Sequence, residues 1–202
     1  MLASAVVFVI VYWLTPSKDL LTHWSFGSAY AAVSLLTLTL AIGPINILRG
    51  ARQPVSSDFR RDTGIWACIW SLFHTVVGLQ VHLRGRMSEY FFQPGDKPLL
   101  ARVRYDMFGL ANYAGLVAAV LVLVLAAISN DWSLSRLGAR RWKRVQQLNY
   151  VLFTIVIIHA ILYQIIEKRS PPFAFAVGFL AAAAIVLQWA RAIGRSGTKP
   201  GG

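Results

Sequence analysis

Six stretches of this chain run without a single Asp, Glu, Lys or Arg: residues 1–17, 20–48, 63–83, 107–130, 145–166 and 170–190. A helix needs about 20 apolar residues to cross the ~30 Å hydrocarbon core of a bilayer. The last four stretches match that length, and the second exceeds it. The first ends its apolar part at Leu14, before Thr15-Pro16-Ser17, which is short for a span. The pattern implies an all-α integral membrane protein, a bundle of six transmembrane helices. The expected spans are 1–15, 26–48, 63–83, 107–129, 146–166 and 171–193, the second starting near Phe26, after the polar Thr22 and His23. Residues 1–195 are expected to form one domain, followed by a disordered tail at 196–202.

Composition agrees. Hydrophobic residues make up 56% of the chain and charged residues 14%, against roughly 45–50% and about 25% in soluble domains. That excludes a water-soluble globule and a disordered chain. Cys68 is the single cysteine, so no internal disulfide forms. The first stretch has no basic residues ahead of it and no small-residue cleavage site. It reads as a short, tilted first helix rather than a removed leader.

A net charge of +12 would ordinarily raise nucleic acid as a partner. Here the basic residues lie in the short connections, where they set topology and meet lipid headgroups, and no nucleic-acid surface is expected. If six helices alternate, one side carries Arg49, Arg52, Arg60, Arg61, Arg136, Arg140, Arg141, Lys143, Arg144, Arg191, Arg195 and Lys199. The other carries Lys18, Arg84, Arg86, Lys97, Arg102, Arg104, Lys168 and Arg169. The bias of twelve to eight predicts both termini on the cytoplasmic face, in a bacterial plasma (inner) membrane. The longest connection, 84–106, places Tyr90-Phe91-Phe92 at the outer headgroup level. No Gly-rich phosphate loop and no room for a nucleotide-binding domain are found outside the spans.

Ionisable residues inside a membrane are costly and mark functional sites. No carboxylate lies within the spans, which argues against a proton-coupled transporter. Histidine remains. His74 lies in the third span and His159 in the fifth, and their depths from the cytoplasmic end differ by roughly 5 Å at 1.5 Å per residue. Two imidazoles at similar depth on parallel helices can approach one flat cofactor from opposite faces, as in bis-histidine haem b ligation. The alternative is that each histidine bridges neighbouring helices by hydrogen bonds. Ala67, Ser71 and Gly78 share the face of His74 and leave room either for a macrocycle or for close helix packing. His82 is expected at the interface, and His23 at the surface. Arg84 and Arg86 suit haem propionates or act as snorkelling anchors.

The run Arg60-Arg61-Asp62-Thr63-Gly64-Ile65-Trp66-Ala67, followed by Leu72-Phe73-His74, resembles the third helix of the ferric reductase-like transmembrane family. Ser129-Asn130-Asp131, Leu137-Gly138, Arg141-Trp142-Lys143, Tyr150 and His159 resemble its fourth-to-fifth connection and fifth helix. Gly43-Pro44 fits as well. The similarity covers about residues 35–165 and extends to the haem b membrane subunits of periplasmic methionine sulfoxide reductases. It implies a six-helix protein that carries electrons across or within the membrane, with His74 and His159 as axial ligands of the haem iron. In that branch a further histidine lies a few residues after the Arg-Trp pair. Here the position reads Gln146, so one haem is expected, in the middle-to-outer half of the bilayer.

Two functions follow. The first is an electron-transfer subunit taking electrons from quinol or a flavoprotein and passing them to an external acceptor or a periplasmic or membrane-complex partner. The cofactor-binding residues would be His74, His159, Ser71, Gly78 and Arg84. The second is a non-catalytic scaffold or accessory subunit that retains the fold within a larger complex.

Overall fold

The computed structural model describes residues 2–50, 57–96 and 98–196. Seven helices follow one another: α1 (Leu2–Leu14), α2 (Leu20–Leu48), α3 (Ser57–Val81), α4 (Met107–Ile128), α5 (Asp131–Gln146), α6 (Leu148–Ile166) and α7 (Pro171–Ser196). Among the described residues there is no strand, only an isolated bridge between Phe92 and Val103. Helices α2, α3, α4, α6 and α7 supply segments long and apolar enough to cross a membrane, and α1 is a shorter apolar helix. The chain is an all-α, multi-pass membrane protein.

Local chemistry moves several boundaries away from the charge-free runs. α2 begins at Leu20 rather than near Phe26, because Asp19 caps it. The Asp19 carboxylate accepts from the Thr22 amide at 3.1 Å and from the Thr22 hydroxyl at 2.9 Å, so the polar Thr22 and His23 enter the first helical turn. α3 starts at Ser57 and takes up the charged Arg60, Arg61 and Asp62. α7 reaches Ser196, so the first residue of the expected tail is helical. The remainder of that tail lies outside the described residues, as do Arg52, Lys97 and Lys199.

The connection 130–144 is a helix rather than a loop. Asn130 caps α5 by accepting from the Ser133 amide at 2.8 Å. With Arg136, Arg140, Arg141, Lys143 and Arg144 exposed along it, α5 is far too polar to cross a membrane, and its amphipathic character suits an interface. Trp142 Nε1 donates to the carbonyl of Ile128 at 2.9 Å, tying α5 back to the end of α4. Inside α5, Gly138 takes φ 70° and ψ 153°, a conformation essentially reserved for glycine. Gly138→Ala is expected to cost about 1–3 kcal/mol, although nothing lies within 4 Å of the added Cβ. A loss of thermal stability in detergent, measured against Gly64→Ala in regular helix with equally open surroundings, checks this.

α2 is the most buried of the spans. In its most apolar window 61% of the residues are buried, against 11–28% in the other spans. α2, α3, α4, α6 and α7 each pack on the next and α7 closes back on α2, while α1 lies outside against α2. One end of this ring is filled by Leu36, Leu40, Ala118, Val122, Leu125, Leu152, Phe153 and Ala184. Between that core and the opposite end the ring encloses a cavity.

The connection from α3 to α4 closes the opposite end. Tyr90, expected among headgroups, is 1% exposed. Its hydroxyl donates to the Gly78 carbonyl at 3.2 Å and accepts from the amides of His82 and Leu83 at 3.1 and 3.2 Å. Burial here is driven by polar groups freed where α3 ends, which hydropathy does not register. Asp106 then caps α4, accepting from the Gly109 amide at 2.7 Å. Hydrogen bonds from Arg104, with the Gly109 amide assisting, hold its carboxyl below the usual carboxylate range. A carboxyl with a depressed folded-state pKa contributes stability above its unfolded pKa and loses it as pH falls through the folded value. Asp106→Ala is therefore expected to cost about 1 kcal/mol at neutral pH. In thermal melts the difference from wild type should shrink as the pH drops below about 4.

Candidate functional site

His74 on α3 and His159 on α6 face one another across the cavity, with ring centres 6.3 Å apart and planes at 79°. Each is anchored from behind. His74 Nδ1 lies 3.0 Å from the carbonyl oxygen of Ser25 on α2, and His159 Nδ1 lies 2.7 Å from that of Ala111 on α4. A carbonyl only accepts, so both Nδ1 atoms carry the proton and both Nε2 atoms keep a free lone pair. That is the tautomer a metal ligand needs, with the backbone carbonyl as the orienting partner.

Glycine makes the second anchor possible. Gly115 lies one turn after Ala111, and a Cβ built there would meet His159 Cε1 at 2.8 Å and Nδ1 at 3.0 Å. Only without that carbon can the imidazole lie against α4 and reach the Ala111 carbonyl. Gly78 is different: its Cβ would stand 3.8 Å from His74 Cε1, an ordinary contact. Gly115 was not among the residues singled out in the sequence. Its signal, a glycine four residues after a small residue in an apolar helix, is shared by many packing positions.

The space between the helices amounts to about 1350 Å³ when the open mouth and adjoining solvent are counted. Its walls at one end are apolar: Leu36, Ala118, Val122 and Val156. At the other end, where α3 and α6 finish, they are His82, Tyr163, Gln164, Glu167 and Arg169. Glu167 accepts from His82 Nε2 at 3.0 Å on one oxygen and from Arg169 Nε at 2.8 Å on the other. Burial pushes its carboxyl up, but these two bonds outweigh that and keep it below the usual range, hence charged at neutral pH. Tyr163 donates to Asn112 Oδ1 at 2.8 Å, and Gln164 Nε2 donates to the Tyr30 hydroxyl at 3.1 Å. Gln164 Oε1 is buried with no protein partner.

Of the residues drawn from the sequence, Ser71 and Gly78 line this cavity with His74 and His159. Arg84 does not. Its side chain is 78% exposed and 3.9 Å from Asp19, because the chain turns at Arg84 with φ 37° just beyond the end of α3. His82 lines the polar end of the cavity. His23 pins the α1–α2 turn, with its ring nitrogens 2.6 and 2.8 Å from the carbonyls of Tyr12 and Ser17. Gln146 donates to Ser129 Oγ at 3.2 Å and accepts from Asn149 at 3.3 Å, joining α4 to α6.

Among the described residues no group of three or more His, Cys, Asp and Glu side chains is placed to hold a metal ion. Two opposed imidazoles are too few donors for a bare ion. They suit a metal that brings its own equatorial nitrogens, as a haem does. The spacing fits as well. A metal–imidazole bond of ~2 Å plus ~1 Å from nitrogen to ring centre, on each side, sums to about 6 Å.

Residues 28–157, more than half of the chain, match the family described as ferric reductase like transmembrane component. The chain belongs to that family. The match takes in α2 to α6 up to Ile157, and His159 stands two residues beyond it. Among relatives, the chain is 26% identical over 160 residues to magnetosome protein MamZ of Paramagnetospirillum magneticum, covering 79% of this chain and 22% of MamZ. It is 29% identical over 174 residues to the protein-methionine-sulfoxide reductase heme-binding subunit MsrQ of Rhizobium meliloti, covering 84% of this chain and 71% of that protein. With MsrQ of Yersinia pseudotuberculosis the identity is 24% over 178 residues, covering 86% and 75%. The chain thus spans about a fifth of MamZ and about three quarters of MsrQ.

Proposed function

We propose that this ferric reductase-like protein binds one haem b between His74 and His159 and carries electrons through the membrane. The observation behind this reading is the pair of opposed imidazoles 6.3 Å apart, each with Nδ1 on a backbone carbonyl. Membership of the family and the likeness to subunits named as heme-binding support it.

When bound, the haem supplies a reversible one-electron centre. The protein's own parts do the rest. His74 and His159 would hold the haem iron through their Nε2 atoms, since each Nδ1 is taken by a backbone carbonyl. The Ser25 and Ala111 carbonyls raise the basicity of the two imidazoles and fix their orientation. Leu36, Ala118, Val122 and Val156 keep water from one end of the cavity. Ser71 and Gly78 leave its α3 wall low.

The reading extends to a donor, quinol or a cytoplasmic flavoprotein, and to an external acceptor or a partner in a membrane complex. It places both termini on the cytoplasmic side of a bacterial inner membrane, with α5 on that face. Purified protein is expected to show a Soret band, a reduced α-band typical of b-type haem, and one haem per chain by pyridine haemochrome. Reduction by a menaquinol analogue in liposomes, compared with a flavin reductase added outside, separates the donors. Colourless protein that still co-purifies with a complex would overturn this function in favour of a scaffold.

A further inference from the structure

We infer that Arg169 is the residue that receives the haem carboxylates, which would orient the macrocycle toward the end of the bundle where α3 and α6 finish. The inference rests on the haem reading above and adds to it a binding determinant and a direction.

The two imidazoles come from helices on opposite sides of the cavity, so a plane between them contains the long axis of the bundle. The carboxylates of a haem edge must then point to one end of the cavity or the other. The end with Leu36, Ala118, Val122 and Val156 offers no donor, and a charge placed there would lose its hydration without replacement. At the other end stands Arg169, two helical turns and more beyond His159, with its side chain only 15% exposed.

Arg169 is held in place. Its guanidinium lies 3.8 Å from the centre of the Phe26 ring, and Nε meets Glu167 Oε2 at 2.8 Å. With Nε on Glu167, the terminal nitrogens lie beside the Tyr30 hydroxyl and present the planar donor edge that suits a carboxylate. Glu167 offsets the charge of Arg169, but it occupies only Nε, while its other oxygen takes a hydrogen bond from His82, so the guanidinium keeps donors for a second carboxylate. Gln164 and Tyr30, bonded to one another beside it, add polar groups at the same end. Lys168 follows α6 with φ 47°, the turn that brings residue 169 back over the cavity.

The test compares protohaem IX with its dimethyl ester, which keeps the macrocycle and iron but has no carboxylate charge. Apoprotein in detergent is titrated with each, and binding is read from the Soret band. Wild type is expected to prefer protohaem by ~10–100-fold, the value of a charge-assisted hydrogen bond. Arg169→Gln should lose that preference while ester affinity and the bis-imidazole spectrum stay unchanged. The double variant Glu167→Gln/Arg169→Gln keeps the local charge balanced and gives the same readout should the single variant unfold. Arg84→Gln should behave as wild type. Equal weakening of both ligands, or no weakening of either, would overturn the role of Arg169. Failure of the wild-type chain to bind protohaem or its ester with a bis-imidazole spectrum would overturn the haem reading itself.

Discussion

Replacing His74 or His159 by alanine is expected to remove bound haem, with affinity falling by more than roughly 100-fold, since altering an orienting partner alone costs 10–100-fold. The two variants should lose the Soret band to the same extent, because an iron held from both sides loses its low-spin, two-imidazole state when either ligand goes. His82→Ala is the matched control: its ring nitrogen is bound to Glu167, so the spectrum should persist. His159→Met offers a finer check, because methionine can still ligate iron and raises the potential. That variant should remain coloured and titrate at a higher midpoint. Unchanged haem content and spectrum in both alanine variants would leave the two imidazoles as ordinary bridges between helices.

The second large effect belongs to a residue that carries no chemistry. Gly115→Ala would place a carbon 2.8 Å from His159 Cε1 and 3.0 Å from Nδ1. The imidazole must then swing away from the Ala111 carbonyl. The expected cost is about 1–3 kcal/mol of stability, typical of overpacking, together with a 10–100-fold loss in haem affinity from the lost orienting bond. Gly78→Ala, where the added carbon is 3.8 Å from His74, should leave the apoprotein fold unchanged. Thermal melts of the apoproteins, read beside haem titrations, separate the two glycines. Equal behaviour of both variants would contradict the close approach of His159 to α4.

The membrane architecture was legible because it depends on composition over long runs. About 20 residues without charge suffice to specify a spanning helix wherever its side chains point. The shared depth of His74 and His159 was legible for a related reason: rise per residue is constant along a helix, so distance along the bundle axis can be counted. The polar helix α5 escaped that count, since it crosses nothing and announces itself only through Asn130 and its amphipathic spacing.

Direction around and across the bundle cannot be counted in this way. Whether Arg84 or Arg169 turns inward depends on two backbone reversals, at φ 37° and 47°, and on which helices stand beside each. Arg84 swings out toward Asp19, whereas Arg169 folds back over Phe26. The carbonyls behind the imidazoles belong to residues 49 and 48 positions away in the chain, and the role of Gly115 exists only because α6 presses a ring against it. The sequence by itself determined that this chain lives in lipid and at what level its histidines lie, through hydropathy and helical rise. Only the tertiary structure decided which groups face the cavity, because that depends on how neighbouring helices are rotated against one another.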